Sequence, residues 1–207
     1  MTLINSALQE YLQNNILPEY AKNDSGHSAE HIEYVVRRSL DFAGQFENID
    51  INMVYTVAVY HDVGHHIDKK THEKLSAQIF FADEEMKRFF TDAQRLIIKE
   101  AIEDHRASLG TEPRSDYGKI ISSADRSTDV DEFLRRTHAY TLKYFPESTP
   151  TQIVERAYEH TLGKYGKNGY AAHYVTDREY EVFREKINFI LRDKDVFEKK
   201  YREINNF

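Results

Sequence analysis

Along nearly the whole chain, apolar residues recur at three- and four-residue intervals, and no stretch alternates in the manner of a half-buried strand. The pattern predicts an all-α fold with helices at about 3–15, 28–46, 50–62, 71–87, 92–105, 115–144, 150–163 and 177–205. Gly26 and Ser28 stand just before the second of these, where a serine hydroxyl can accept a bond from a free backbone N–H, and Pro113 and Pro150 mark later boundaries. The glycine-bearing stretch from Tyr165 to Tyr170 reads as a surface loop, with a lid as the alternative. Phe183, Ile187, Ile190, Phe197, Tyr201 and Ile204 form an apolar stripe expected to pack into a core, the alternative being a homodimer contact. No internal repeat is visible, and 207 residues suit one domain, with a motif-bearing core at about 27–135 and C-terminal helices at 150–205 packed on it.

Composition narrows the chemistry. With 40% hydrophobic and 30% charged residues, the chain is too apolar for disorder. Its longest apolar run, Ile51 to Tyr60, is interrupted by Asn52 and falls short of the ~20 residues that span a bilayer. The N-terminus has no basic start followed by an apolar stretch, so a cytoplasmic location without a membrane partner is expected. The absence of cysteine excludes disulfides, thiolate catalysis, iron–sulfur clusters and sulfur-ligated zinc, so any metal must be held by nitrogen and oxygen. A net charge of −7 argues against nucleic acid as a partner while leaving room for a small anionic substrate.

Several ligand-type residues fall on apolar helix faces. His61 follows Val57 by four residues, Asp125 follows Ile121 by four, and His31, His72 and His105 keep similar spacing with Val35, with Leu75 and Ile79, and with Ala101 and Ile98. An ionised carboxylate facing a core must be paired, bind a metal or take up a proton, and a metal would satisfy Asp125. Facing inward is not specific by itself, since His138 after Leu134 and His160 after Ile153 show the same pattern without ligand-type neighbours.

The joint pattern says more. His31 in HSAEHIEYV, the His61-Asp62 doublet in AVYHDVGHH, and Asp125 in SSADRSTD resemble the H…HD…D signature of the HD superfamily over about residues 27–135. The resemblance implies an all-helical domain bundle that hydrolyses phosphate esters or phosphoanhydrides, often of nucleotides, with His31, His61, Asp62 and Asp125 as ligands of a divalent metal. Two imidazoles and two carboxylates suit manganese, iron, cobalt, zinc or magnesium. His72 in THEKLSA and His105 in IEDHR match the places from which a subset of the superfamily holds a second ion, so one ion or two is expected, with Asp62 bridging in the latter case. His65 stands where the superfamily often has lysine or glutamate. It becomes the candidate general acid or base, with His66 as its rival, and Asp62 joins them in the catalytic set. Arg106, Lys69 and Arg126 are the candidate phosphate contacts, with Lys70 also near the ligands.

Hydrolysis of a small phosphorylated substrate is therefore the leading expectation. A minority of the superfamily uses the same six ligands for di-iron oxygen chemistry, and a regulatory module that binds metal or nucleotide without turnover is a third class.

Overall fold

The computed structural model describes residues 3–23 and 29–207, which leaves Gly26 and Ser28, and the cap expected there, outside the described residues. Among these residues the chain forms ten α-helices, against the eight expected, and no strand, so the all-α class is as the periodicity predicts. They are α1 (Ser6–Asn15), α2 (Ala29–Ala43), α3 (Ile51–Tyr60), α4 (His72–Ala82), α5 (Asp92–Asp104), α6 (Asp116–Ala124), α7 (Val130–Tyr144), α8 (Pro150–Tyr165), α9 (Arg178–Leu191) and α10 (Lys194–Asn205). No helix among the described residues is long and apolar enough to cross a membrane.

The helices gather into two compact units: 1–125 together with 173–176, and 126–172 together with 177–207. In the first unit α3 is the axis. All eight residues from Met53 to Tyr60 are buried, because a helix that is apolar all round must be enclosed by others. It packs against α1, α2, α5 and α6, while α4 packs on α5. Residues 173–176 add to this unit: the Tyr174 N–H donates to Ser123 Oγ at 3.0 Å, and Gln45 and Thr176 exchange two bonds of 2.8 Å.

The second unit, α7 to α10, has its own core built from Phe133, Leu134, Ile153, Ala157, Tyr165, Phe183, Ile187, Phe197 and Tyr201. The C-terminal stripe is thus spent on packing, with Phe183, Ile187, Phe197 and Tyr201 wholly covered. His138 and His160 are absorbed here too. His138 Nδ1 lies 3.0 Å from Tyr201 Oη, and His160 stacks on Phe133 with burial holding its imidazole down to about 4.

Three expected helices are shorter than their periodicity suggests. The 115–144 stretch breaks at Asp125, and the Asp129 carboxylate caps the next helix by accepting from the Glu132 N–H. Asp193 splits 177–205 in the same way by accepting from the Asp195 N–H. The 71–87 stretch ends at Ala82, where Asp83 caps a short 3₁₀ turn over Glu84–Arg88. In each case a carboxylate satisfies orphan N–H groups of a new first turn, which outweighs continuing the apolar period.

Candidate metal centre

The first unit brings its ligand-type residues together by placing them at helix ends. His61 caps the C-terminus of α3, His105 that of α5 and Asp125 that of α6, while His72 opens α4 and His31 lies in the first turn of α2. A side chain at a helix end leaves the helix's own packing face and can reach a point shared with other ends.

Three of the histidines are oriented by one repeated device. The Nδ1 atoms of His61, His72 and His105 lie 2.8, 3.0 and 2.6 Å from the carbonyl oxygens of Ala58, Lys69 and Ile102, each three residues earlier. A carbonyl only accepts, so each Nδ1 carries the proton and each Nε2 is turned toward the centre, where it could serve as a ligand atom. His72 Nε2 and His105 Nε2 approach to 3.1 Å. Two bare ring nitrogens repel at that distance, and a proton or a cation between them is what reconciles them.

Asp62 stands between two trios. Its Oδ2 lies 3.3 Å from His61 Nε2, and its Oδ1 lies 3.2 Å from His72 Nε2 and 3.4 Å from His105 Nε2. The ligand atoms of His31, His61 and Asp62, and likewise those of Asp62, His72 and His105, all fall within 4.8 Å of one another. Asp125 extends the first trio, with Oδ1 3.1 Å from His31 Nε2. His61, Asp62 and His105 are almost wholly buried, whereas His31, His72 and Asp125 keep 12, 12 and 23% of their side-chain surface exposed, so the solvent-facing edge of the centre runs along these three.

Burial alone would lower His61, but the Asp62 carboxylate beside it prevails and lifts it to about 9. Burial alone would raise Asp62, yet His61 and His105 hold it well below the usual carboxylate range. Burial and the neighbouring His105 hold His72 below the ordinary imidazole value. A group raised in the folded state stabilises the metal-free fold below its ordinary value near 6.5 and ceases to do so as pH climbs through about 9. A metal held at His61 Nε2 would have to displace that same proton, so its binding would strengthen as pH rises toward about 9.

Other site residues separate clearly. His65 is buried with its ring 5.2 Å from that of His72, whereas His66 is exposed. Lys69 is half-buried and lends its carbonyl to His72, and Lys70 is exposed and lends its carbonyl to Arg106. Arg106 lies with Nη1 3.2 Å from the buried Glu73 carboxylate. Arg126 belongs to the second unit, is buried, and donates from Nε to the Ala172 carbonyl at 3.4 Å.

Several supporting residues escape sequence reasoning. The fully buried Tyr20 hydroxyl donates to the Val59 carbonyl at 2.8 Å and receives the Asp62 N–H at 3.2 Å, and Asn23 Nδ2 donates to the Asp62 carbonyl at 3.1 Å. Contacts 39 and 42 residues apart leave no local signal. Arg38 was within reach of periodicity: it follows His31 by seven residues on the same face of α2, and its Nε donates to the Ala124 carbonyl at 3.3 Å, beside Asp125. Glu73 sits inside the THEKLSA motif, but its partner is 33 residues away.

Gly64, in the HDVG stretch, lets α4 approach the end of α3. Its N–H donates to Ser76 Oγ at 3.0 Å, and a Cβ there would stand 2.9 Å from both Leu75 Cβ and the Ser76 nitrogen. Gly64→Ala is expected to cost about 1–3 kcal/mol of stability by overpacking and to push His72 away from Asp62. Chemical denaturation and metal titration together check this, and a variant as stable and as metal-competent as wild type contradicts it.

Inward imidazoles whose Nε2 atoms gather around carboxylates in a nitrogen and oxygen cluster define a helical domain whose centre could hold a metal ion. The HD domain family model matches residues 28–128, and the chain belongs to the HD-domain superfamily, whose members bind divalent metals and include metal-dependent phosphohydrolases. Searches of curated proteins and of solved structures found no match.

Proposed function

We propose that the protein is a metal-dependent phosphohydrolase that cleaves a phosphate ester or anhydride of a small substrate, a nucleotide being one such class. The observation that carries this reading is Asp62, whose two carboxylate oxygens face different histidine groups, an arrangement suited to bridging two divalent ions. His31, His61, Asp62 and Asp125 would hold one ion, and Asp62, His72 and His105 a second. Bound there, the ions supply a water nucleophilic at neutral pH and a positive clamp for phosphoryl oxygens.

The chain's own residues supply the rest. His65, buried beside His72, would hold or return a proton at a leaving oxygen. Lys69 and Arg106 are the candidate phosphate contacts of the first unit, and a guanidinium can spend one nitrogen on Glu73 and others on phosphate. Arg126 remains a third candidate contact through its position next to Asp125 in the chain.

A panel of nucleotides and phosphorylated metabolites, incubated with metal-loaded protein under air and then without oxygen, tests the reading. Phosphate release that requires metal and persists anaerobically is expected, since a metal-activated water needs no oxidant. Turnover that demands iron and oxygen with no phosphate released would establish the oxygenase class instead, and binding without turnover the regulatory one.

A further inference from the structure

We propose that the Glu73–Arg106 ion pair is a positioning device that keeps the His72 and His105 rings at the spacing needed to share one ion; this rests on the two-ion reading above. The four residues form two consecutive pairs. His72 and Glu73 open α4, and His105 and Arg106 close α5, so the two helix ends meet twice: ring to ring at 3.1 Å and charge to charge at 3.2 Å. Arg106 Nη1 also donates to the Lys70 carbonyl, which ties the segment before α4 to the same anchor.

Glu73 shows why the pair matters. Its side chain is only 5% exposed, and a buried carboxylate deprived of its cation seeks another donor. The candidate is at hand, because Glu73 Oε2 lies 3.7 Å from His72 Nδ1, the atom now bonded to the Lys69 carbonyl at 3.0 Å. Arg106 therefore holds Glu73 off the His72 ring. Without it, Glu73 competes with Lys69 for the Nδ1 proton, and the ring turns with the winner, carrying Nε2 away from His105. In positioning His72, Arg106 acts through Glu73, whatever its other nitrogens meet.

The test is a cycle of variants read by calorimetric titration of the metal-free protein with manganese or cobalt. Wild type should bind two ions. Arg106→Met should weaken the second by about 10–100-fold, the usual effect of removing a group that orients a ligand, and leave the first unchanged. Arg106→Lys should recover part of the loss. The double variant Arg106→Met with Glu73→Gln should bind the second ion more tightly than Arg106→Met alone, because the stranded charge is gone. The side chain of Arg106 is 32% exposed, so the variants are expected to fold, and Arg106→Lys keeps the test decisive should the methionine variant fail. Retention of both ions within threefold in Arg106→Met, with or without a raised KM, overturns the proposal, as does a double variant no better than the single. A wild type that binds only one ion overturns the two-ion reading itself, and the inference falls with it.

Discussion

Asp62→Ala is expected to strip the protein of bound divalent metal and to abolish phosphate release. Asp62 is the only residue common to both histidine trios, with Oδ2 on the His61 side and Oδ1 on the side of His72 and His105. Removing it leaves the first group two imidazoles and the Asp125 carboxylate, and the second two imidazoles with no carboxylate to offset a dication. Metal clamping is worth several kcal/mol of transition-state stabilisation, which at ~1.4 kcal/mol per tenfold is about a thousandfold or more in rate. Elemental analysis reads the ions directly. Asp62→Asn, with nearly the same shape, separates metal loss from misfolding, because the amide preserves the packing beneath Tyr20 and Asn23. If both variants keep their full metal content, the ligand assignment is wrong.

His65→Ala should lower turnover by about 10²–10⁴-fold while metal content stays at the wild-type level, which is the usual contribution of a positioned acid or base. The expectation rests on placement: His65 is 5% exposed beside His72, and its backbone N–H donates to the Asp62 carbonyl at 3.0 Å, so it is held against the centre by the same turn that presents Asp62. His66 points into solvent, and His66→Ala should change turnover by less than about threefold, within the effect of an ordinary surface substitution. A His65→Ala loss smaller than threefold, or a larger effect at His66, transfers the role to His66 or to the metal-bound water alone. Metal content measured on the same samples shows that any loss belongs to the chemical step.

The helical class, the inward faces of His61 and Asp125 and the grouping of His31, His61, Asp62, His72, His105 and Asp125 were legible from spacing and motif, because a 3.6-residue period assigns a face and burial of a charge on that face demands a partner. Helix ends were less legible: periodicity runs through Asp125 and Arg192, while the chain stops at both because Asp129 and Asp193 cap new first turns, a local competition that an apolar count does not weigh. Which nitrogen each histidine presents was decided by local backbone geometry, through the carbonyls of Ala58, Lys69 and Ile102 three residues earlier, a contact that neither motif nor period records. Tertiary structure alone decided the burial of His65 and the exposure of His66, adjacent in sequence, and the supports from Tyr20, Asn23 and Arg38. Arg106 shows the division most plainly. Its position beside His105 in the chain suggests a hand for phosphate, and only the fold, by bringing α4 against the end of α5, sets a buried Glu73 carboxylate against it. Periodicity records which way a side chain faces within its own helix; what it meets there depends on elements tens of residues away, and that information arises only when the helices pack.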